Sequence, residues 1–373
     1  MSYDATIEYR SGKLNAVSDA LSRHVPTPEK ICAIQQEFPS LEEVRQAQLS
    51  SPFATRIDEL KESPVDTNIR KKQFCLIEKT LYYDDGKTYR LVIPSAELQE
   101  KITKHHHDNP FDGGHLGITK TIRKIRDKFY WRGMNESITN YVKTCPTCQK
   151  IKSPYQLLRQ EPLSLFPVSS RPFERVHSDV IGPLPMSLEG YCYILVNTCS
   201  FTKFVICSPI LDQKTTTIAK VLVNDVVCRF GVPEKLVSDR GSNYTSELFK
   251  EIAEILGTKH ALTTAYHHQA NGQVERYVKT ISEALNSFVH DSSENWAKFL
   301  QLITFAINTS RNETTQETPF FLMHGRDPQL ISDAILKYPR RIFGDPESYK
   351  TELIANIYNA WRTNKERIEK ATM

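Results

Sequence analysis

Two sets of residues in this chain have types and spacings that can do chemistry. The first is a set of acids. Asp239 and Glu275 stand with thirty-five residues between them, and Asp179 lies upstream in ERVHSDVIGPLP. Asp239 follows the apolar pair Leu236 and Val237, and Asp179 also follows a strand-like stretch. Glu275 opens a segment with Val274, Tyr277, Val278, Ile281, Leu285 and Val289 mostly three or four apart, the period of one helix face. Two acids on strands and one on a helix can meet at one edge of a sheet. Converging carboxylates supply the oxygen ligands that Mg²⁺ (or Mn²⁺) takes, with positions left for water and phosphate oxygens. A pair of such ions assists substitution at a phosphodiester. The chain has 44 acidic residues, so this spacing needs support from the sequence around it.

The second set is His107, His115, Cys145 and Cys148. Two imidazoles and two thiolates make a closed tetrahedral site for Zn²⁺. The Cys145-Pro-Thr-Cys148 knuckle brings both sulfurs to one ion. The run His105, His106, His107 offers three imidazoles for the first ligand. A Cys-x-x-Cys pair alone also fits a redox couple or two buried cysteines; the histidines upstream favour zinc. A module this small has little core, so the metal is expected to contribute much of its folding energy.

The elements around these sets must position them. With 373 residues the chain is long enough for two or three modest domains. No apolar run approaches the roughly 20 residues of a membrane span, so no membrane is expected. The first residues, MSYDATIEYRSGK, lack a signal-peptide apolar core. Eight cysteines do not form a dense disulfide framework, and an intracellular protein with reduced thiols is expected. The net charge of +4 says little, but residues 118–152 carry nine Lys or Arg against two acids, which suits contacts to phosphates.

In chain order, Ser40 and Glu43 form a capping-box pattern for a helix to about Ala47. FCLIEKTLYYDDGKTYRLVIP, residues 74–94, reads as one hairpin turning at Asp84, Asp85 and Gly86. Between the histidines and cysteines, apolar periodicity predicts two short helices broken near Gly133. Pro154, Pro162 and Pro167 mark a linker. A second hairpin is expected over Tyr191–Thr198 and Lys203–Ile210, then a helix from about Thr216 to Arg229, stopped by Gly231 and Pro233. Thr245 or Ser246 can cap a helix to about Leu256 with Phe249, Ile252 and Ile255 inward. TTAYHHQANGQV, ahead of Glu275, reads as a mobile loop. A helix over Glu294–Asn308 and a last one from Pro346, capped by Asp345, to about Lys370 complete the pattern. The last carries an apolar stripe of Ile354, Ile357, Tyr358 and Trp361, to dock on the core or on a second subunit.

SDRGSNYTSELF and TTAYHHQANGQVER, together with HDNPFDGGHLGITKT and YVKTCPTCQKIK, resemble the integrases of retroviruses and Ty3/gypsy-type retrotransposons. The His-Asp-x-Pro start of that family's HHCC domain falls on His107–Pro110 and favours His107 as first ligand. Residues 4–26 resemble the end of a ribonuclease H domain, which marks the chain as a piece of a longer pol-like polyprotein. The resemblance implies an α/β fold: a ribonuclease H-like core with a mixed five-stranded sheet flanked by helices, preceded by a small helical HHCC zinc domain. The expected divisions are a ribonuclease H remnant at 1–25, a linker and extension domain at 26–95, the HHCC domain at 96–152 and a linker at 153–168. The catalytic core follows at 169–330 and a helical tail at 331–373, without the family's C-terminal barrel. The resemblance also implies 3′-end processing of element DNA and strand transfer into target DNA, with Asp179, Asp239 and Glu275 as the catalytic, Mg²⁺-binding triad. Gln273, Arg276 and Lys279 become candidate DNA contacts; DNA and further copies of the chain become partners, and the nucleus, after a cytoplasmic particle stage, the location. A remnant that binds DNA or protein without cutting it is the alternative.

Overall fold

The computed structural model describes residues 38–53, 73–86, 88–151, 168–239, 241–262, 272–289, 295–336 and 346–372. The stretch resembling ribonuclease H, nearly all of the 153–168 linker, the loop at 263–271 and the Asp345 cap lie outside them.

Helix α1 (Leu41–Leu49) begins as its capping box requires: the Glu43 amide donates to Ser40 Oγ at 3.2 Å, and the Ser40 amide to Glu43 Oε2 at 2.6 Å. The next segment corrects the sequence reading. In place of one hairpin there is a three-stranded meander, β1 (Gln73–Ile77), β2 (Thr80–Asp84) and β3 (Tyr89–Val92). The first turn falls at Glu78 and Lys79, both at positive φ (47° and 64°), where neither residue type announces a turn. Gln48 ties α1 to this sheet: its amide accepts from the Leu81 N–H and donates to the carbonyls of Leu81 and Val92.

Helix α2 (Ala96–Asp108) leads to α3 (Ile118–Arg126), β4 (Phe129–Tyr130), α4 (Met134–Thr144) and α5 (Pro146–Ile151). The helix break near Gly133 is present, with Gly133 at φ 76° capping α4. The short strand ahead of it was not expected. It pairs parallel with β3 (Leu91 with Phe129, Val92 with Tyr130), so extension and helical module share one sheet, β1-β2-β3-β4. They also share a core in which Val44, Leu91, Ile93, Ile102, Ile125, Phe129 and Ile138 are buried together.

The second sheet has the order β7-β6-β5-β8-β9. Strands β5 (Arg175–Ile181), β6 (Tyr193–Cys199) and β7 (Val205–Ile210) run antiparallel in turn; β8 (Lys235–Ser238) and β9 (Lys259–Leu262) lie parallel to β5 on its other side. One face carries α6 (Thr215–Leu222), extended by a π-helical turn Val223–Val227 and a last turn Cys228–Phe230 that stops at Gly231. The same face carries the short α7 (Ser242–Thr245) and α8 (Glu247–Ile255), and it buries Val176, Leu195, Leu222, Tyr244 and Phe249. The other face carries α9 (Gly272–Phe288) and α10 (Trp296–Asn308), burying Ile194, Val196, Val205, Ile281, Leu300 and Ile303. This mixed five-stranded sheet between helices is the ribonuclease H-like arrangement. Ser246 caps α8 and Phe249 points inward as expected, but Ile255 is 85% exposed and Ala253 takes the inner position.

Short helices α11 (Pro319–His324) and α12 (Ile331–Ile335) precede α13 (Pro346–Thr372). The second half of α13 docks on the core: Trp361 Nε1 donates to the Leu322 carbonyl at 2.8 Å, and the buried Asn364 donates to the Phe201 carbonyl at 2.9 Å. Of the predicted stripe, Ile354 and Tyr358 remain exposed. Among the described residues, no helix is long and apolar enough to cross a membrane.

Candidate metal centres

The imidazole and thiol donors come from three places. His107 sits in the last turn of α2, His115 at the end of the loop that follows, and Cys145 and Cys148 around the start of α5. The loop folds back tightly. The amides of Gly113 and Gly114 both donate to the Asn109 carbonyl, and the His115 amide donates to the His107 carbonyl at 2.9 Å. A Cβ on Gly113 would lie 2.4 Å from the His107 carbonyl oxygen, so only glycine fits that approach.

All four residues are buried, and one donor atom from each lies within 4.8 Å of the others. Cys148 Sγ is 3.3 Å from His107 Nε2 and 3.6 Å from His115 Nδ1; Cys145 Sγ is 3.7 Å from His115 Nδ1. Zinc–sulfur bonds of about 2.3 Å and zinc–nitrogen bonds of about 2.05 Å imply tetrahedron edges of about 3.6 Å. The donor set therefore fits a zinc ion in composition and in size.

Of the three consecutive histidines, His107 alone belongs to this group. His105 Nε2 meets Asp112 Oδ2 at 2.7 Å, and His106 packs its ring between Phe38 and Phe129. The helical period explains the split: three successive residues point 100° apart, and one direction faces the knuckle. Two neighbours were absent from the sequence reading as site residues. Tyr141 donates its hydroxyl to Asp108 Oδ2 at 2.7 Å, and Asp108 Oδ1 lies 3.9 Å from His115 Nδ1. Nothing in the sequence set Tyr141 apart from the rest of its helix. The available signal for Asp108 was its place directly after His107.

The acids are arranged differently. Strands β5 and β8 are parallel, with Ser178 opposite Ser238, so Asp179 and Asp239 are the next residues at the same end of neighbouring strands. Each has one carboxylate oxygen held by a nearby amide: Val180 N to Asp179 Oδ1 at 2.9 Å, and Gly241 N to Asp239 Oδ1 at 3.0 Å. Glu275 is exposed in the first turn of α9, which packs on β5 and β6 through Val274, Tyr277 and Ile281. Burial pushes the Asp179 carboxyl up to about 6; its bond from Val180 opposes this, and the charges of Asp239 and Glu275 add to it. Asp239 and Glu275 thus lie within electrostatic reach of Asp179, but among the described residues only the His107, His115, Cys145 and Cys148 donors are drawn closely enough together to hold an ion. Repulsion among the three acids is relieved by a divalent cation.

Behind this edge lie hydrogen bonds that nothing in the sequence signalled. Ser178 Oγ is 2.8 Å from the buried Tyr244 hydroxyl, and Ser238 Oγ is 2.9 Å from His260 Nε2 while donating to the Asp239 carbonyl. Of the candidate DNA contacts, Arg276 is exposed, and the exposed Lys279 lies 3.9 Å from Glu283. The side chain of Gln273 lies outside the described residues.

Contacts also join the two halves. The His115 ring packs against Phe288 in the last turn of α9 at 5.2 Å, and Phe111 stacks on Phe305 of α10 at 4.4 Å. The buried Lys124 donates to the Asp112 carbonyl and, at 3.1 Å, to Thr309 Oγ1. Arg311 pairs with Asp127.

Comparison with known proteins covers the same two regions. Residues 94–154 match the family described as integrase zinc binding domain, and residues 169–268 match the integrase core domain. Over 238 residues the chain is 32% identical to the retrovirus-related Pol polyprotein from transposon 412 of Drosophila melanogaster, covering 64% of this chain and 19% of that protein. It is 29% identical over 294 residues to the gypsy retrotransposon integrase-like protein 1 of Rattus norvegicus, covering 78% of this chain and 54% of that one. Over 343 residues it is 29% identical to the transposon Tf2-3 polyprotein of Schizosaccharomyces pombe, covering 88% and 25% respectively. The chain thus spans between a fifth and about half the length of these relatives.

Proposed function

We propose that this chain, which joins an integrase zinc-binding domain to an integrase core of the Ty3/gypsy retrotransposon kind, carries out 3′-end processing and strand transfer of element DNA into target DNA. The observation that carries the reading is the placement of Asp179 and Asp239 at one end of adjacent parallel strands, with Glu275 in the first turn of α9, which packs on the same sheet.

In this reading Asp179, Asp239 and Glu275 are the residues that hold Mg²⁺ or Mn²⁺. When bound there, the metal supplies activation of the attacking oxygen and neutralises charge on the phosphate under attack. The protein's own part is positioning. Val180 and Gly241 fix one oxygen of each aspartate, and Ser238, held by His260, anchors the backbone at Asp239. Arg276 and Lys279 follow Glu275 on the exposed side of α9, where cations meet the phosphates of a DNA end. Gln273, on the same turn, is the third contact. Such contacts position DNA without reading its sequence, so target choice is weak.

His107, His115, Cys145 and Cys148 hold Zn²⁺ and fasten the ends of α2 and α4 together. Copies of the chain assemble on two DNA ends, and the work is done in the nucleus after a cytoplasmic particle stage. A second reading is a protein that binds DNA without cutting it, since the chain spans only between a fifth and about half the length of its relatives.

Disintegration, the reversal of strand transfer, separates the two on a branched DNA substrate with Mn²⁺. Product from the wild type and none from Glu275→Gln is expected. A folded, DNA-binding wild type that gives no product would leave the binding reading standing alone.

A further inference from the structure

A second place on the molecule has the chemistry of a ligand site, away from both metal centres. It is an open cleft of about 590 Å³ where the small sheet meets the start of α4. One wall is aromatic. Tyr83 of β2 and Tyr130 of β4 stack face to face, centroids 3.9 Å apart and planes within 6°. Phe74 braces both edge-on at 5.5 and 6.0 Å. The lining is also cationic. Arg126 and Arg132 line the cleft, are exposed, and make no ion pair among the described residues. Arg90, deeper in, is paired with Asp85, and its Nε is buried without a hydrogen-bond partner. Glu136 is the other acid of the lining. The surrounding segment, 118–152, carries its excess of seven positive charges into the same region.

A half-buried aromatic wall sharing one cleft with two arginines that are unpaired among the described residues suits a ligand that joins a flat ring to a phosphate. Unpaired nucleotides have that shape; paired ones hide the flat face in the duplex. We propose that this cleft binds an unpaired nucleotide of a single-stranded nucleic acid, its base against the Tyr83–Tyr130 wall and its phosphates at Arg126 and Arg132. The parallel pairing of β4 with β3 builds the site, because it sets Tyr130 beside Tyr83. The proposal rests on the reading of the chain as a nucleic-acid-handling protein but not on its catalytic triad.

The test uses the full chain carrying Glu275→Gln, zinc-loaded and without added Mg²⁺ or Mn²⁺, and compares a fluorescent oligothymidylate with a duplex of equal length. Arg126→Ala with Arg132→Ala should weaken single-strand binding and reduce its salt slope by about 1.4, from about 0.7 per phosphate. Tyr130→Leu should weaken single-strand binding by about fivefold or more and leave duplex binding unchanged. Because Tyr130 also packs, photocrosslinking of 5-iodouracil oligonucleotide to the unaltered tyrosines gives an independent reading, with adducts expected at Tyr83 or Tyr130. Adducts confined to residues 168–336, or equal effects of Tyr130→Leu on both DNAs, would overturn the proposal. If wild type binds neither DNA, the functional reading falls as well; if it binds both and the cleft variants change nothing, the cleft proposal falls by itself.

Discussion

The two candidate metal centres differ in how finished they are. The His107, His115, Cys145 and Cys148 group is buried, and its donors already stand near the corners of a small tetrahedron. The acidic group is open: Asp239 and Glu275 are exposed, and among the described residues each aspartate has one carboxylate oxygen tied to an amide. A structural metal needs every position filled by protein, while a catalytic one must leave positions for substrate. The contrast predicts different failures on mutation. Loss of a buried donor should cost the fold, and loss of an exposed acid should cost chemistry alone.

The largest effect should come from the closed site. Zinc removal by a chelator, or Cys148→Ser, should melt the region around α2, α4 and α5, because structural zinc in small modules binds with about 10–16 kcal/mol. A calorimetric scan checks this, and unchanged melting in zinc-free protein would reject the zinc module. The shared sheet and core should leave β1–β3 the last part to open.

Asp239→Asn comes next. It should reduce strand transfer by about 10³-fold or more, equivalent to about 4 kcal/mol, with melting temperature and DNA binding kept. Unfolding by this change alone would make Asp239 structural and erase the contrast.

Gly113→Ala should cost about 2–3 kcal/mol through overpacking, because the new methyl meets backbone and not a flexible side chain. Zinc affinity should fall with stability, as the displaced atom belongs to His107. A zinc-competition assay reads this, and unaltered affinity would show that the loop can shift.

The smallest effect concerns the contact between the halves. Burial pushes the Lys124 ammonium down to about 8, while Asp112 opposes the shift. Between about pH 8 and the unfolded value near 10.4, the unfolded chain holds a proton that the folded one has released. The contribution of Lys124 to stability should therefore rise with pH across that window. Lys203, likewise lowered to about 8 by burial, contributes in the same sense, whereas burial raises the thiols of Cys75 to about 11 and of Cys207 to about 12, which contribute in the opposite sense. Lys124→Met should remove this lysine's contribution, so that stability changes less favourably from pH 8 to pH 10 than in the wild type, measured by urea unfolding at the two pH values. An unchanged slope would place the proton elsewhere.

Legibility in the sequence followed locality. Ser40 with Glu43, Gly231 at a helix end and Ser246 at a helix start act within one turn, and the structure shows each doing so. The knuckle and its histidines were visible because metal ligation restricts residue types. The choice among His105, His106 and His107 was harder, since it depends on which helix face meets the knuckle. The turn at Glu78 and Lys79 left no mark, because strand pairing imposes the left-handed backbone on ordinary residues there. Ile255 misled for the opposite reason: the periodicity was right for a helix but did not say where α8 leaves the sheet. The cleft beside α4 was invisible because Tyr83 and Tyr130 meet only through β4, a strand two residues long.

That two-residue strand also governs the order in which this half of the molecule can form. Strands β1 to β3 are a local meander that can zip as soon as the chain reaches Val92. Its fourth strand is parallel, so it arrives only after α2 and α3 have been made and have crossed over. During synthesis the β3 edge must therefore wait unpaired at Leu91 and Val92. The nascent protein carries an adhesive edge until the polypeptide containing Tyr130 emerges to cover it.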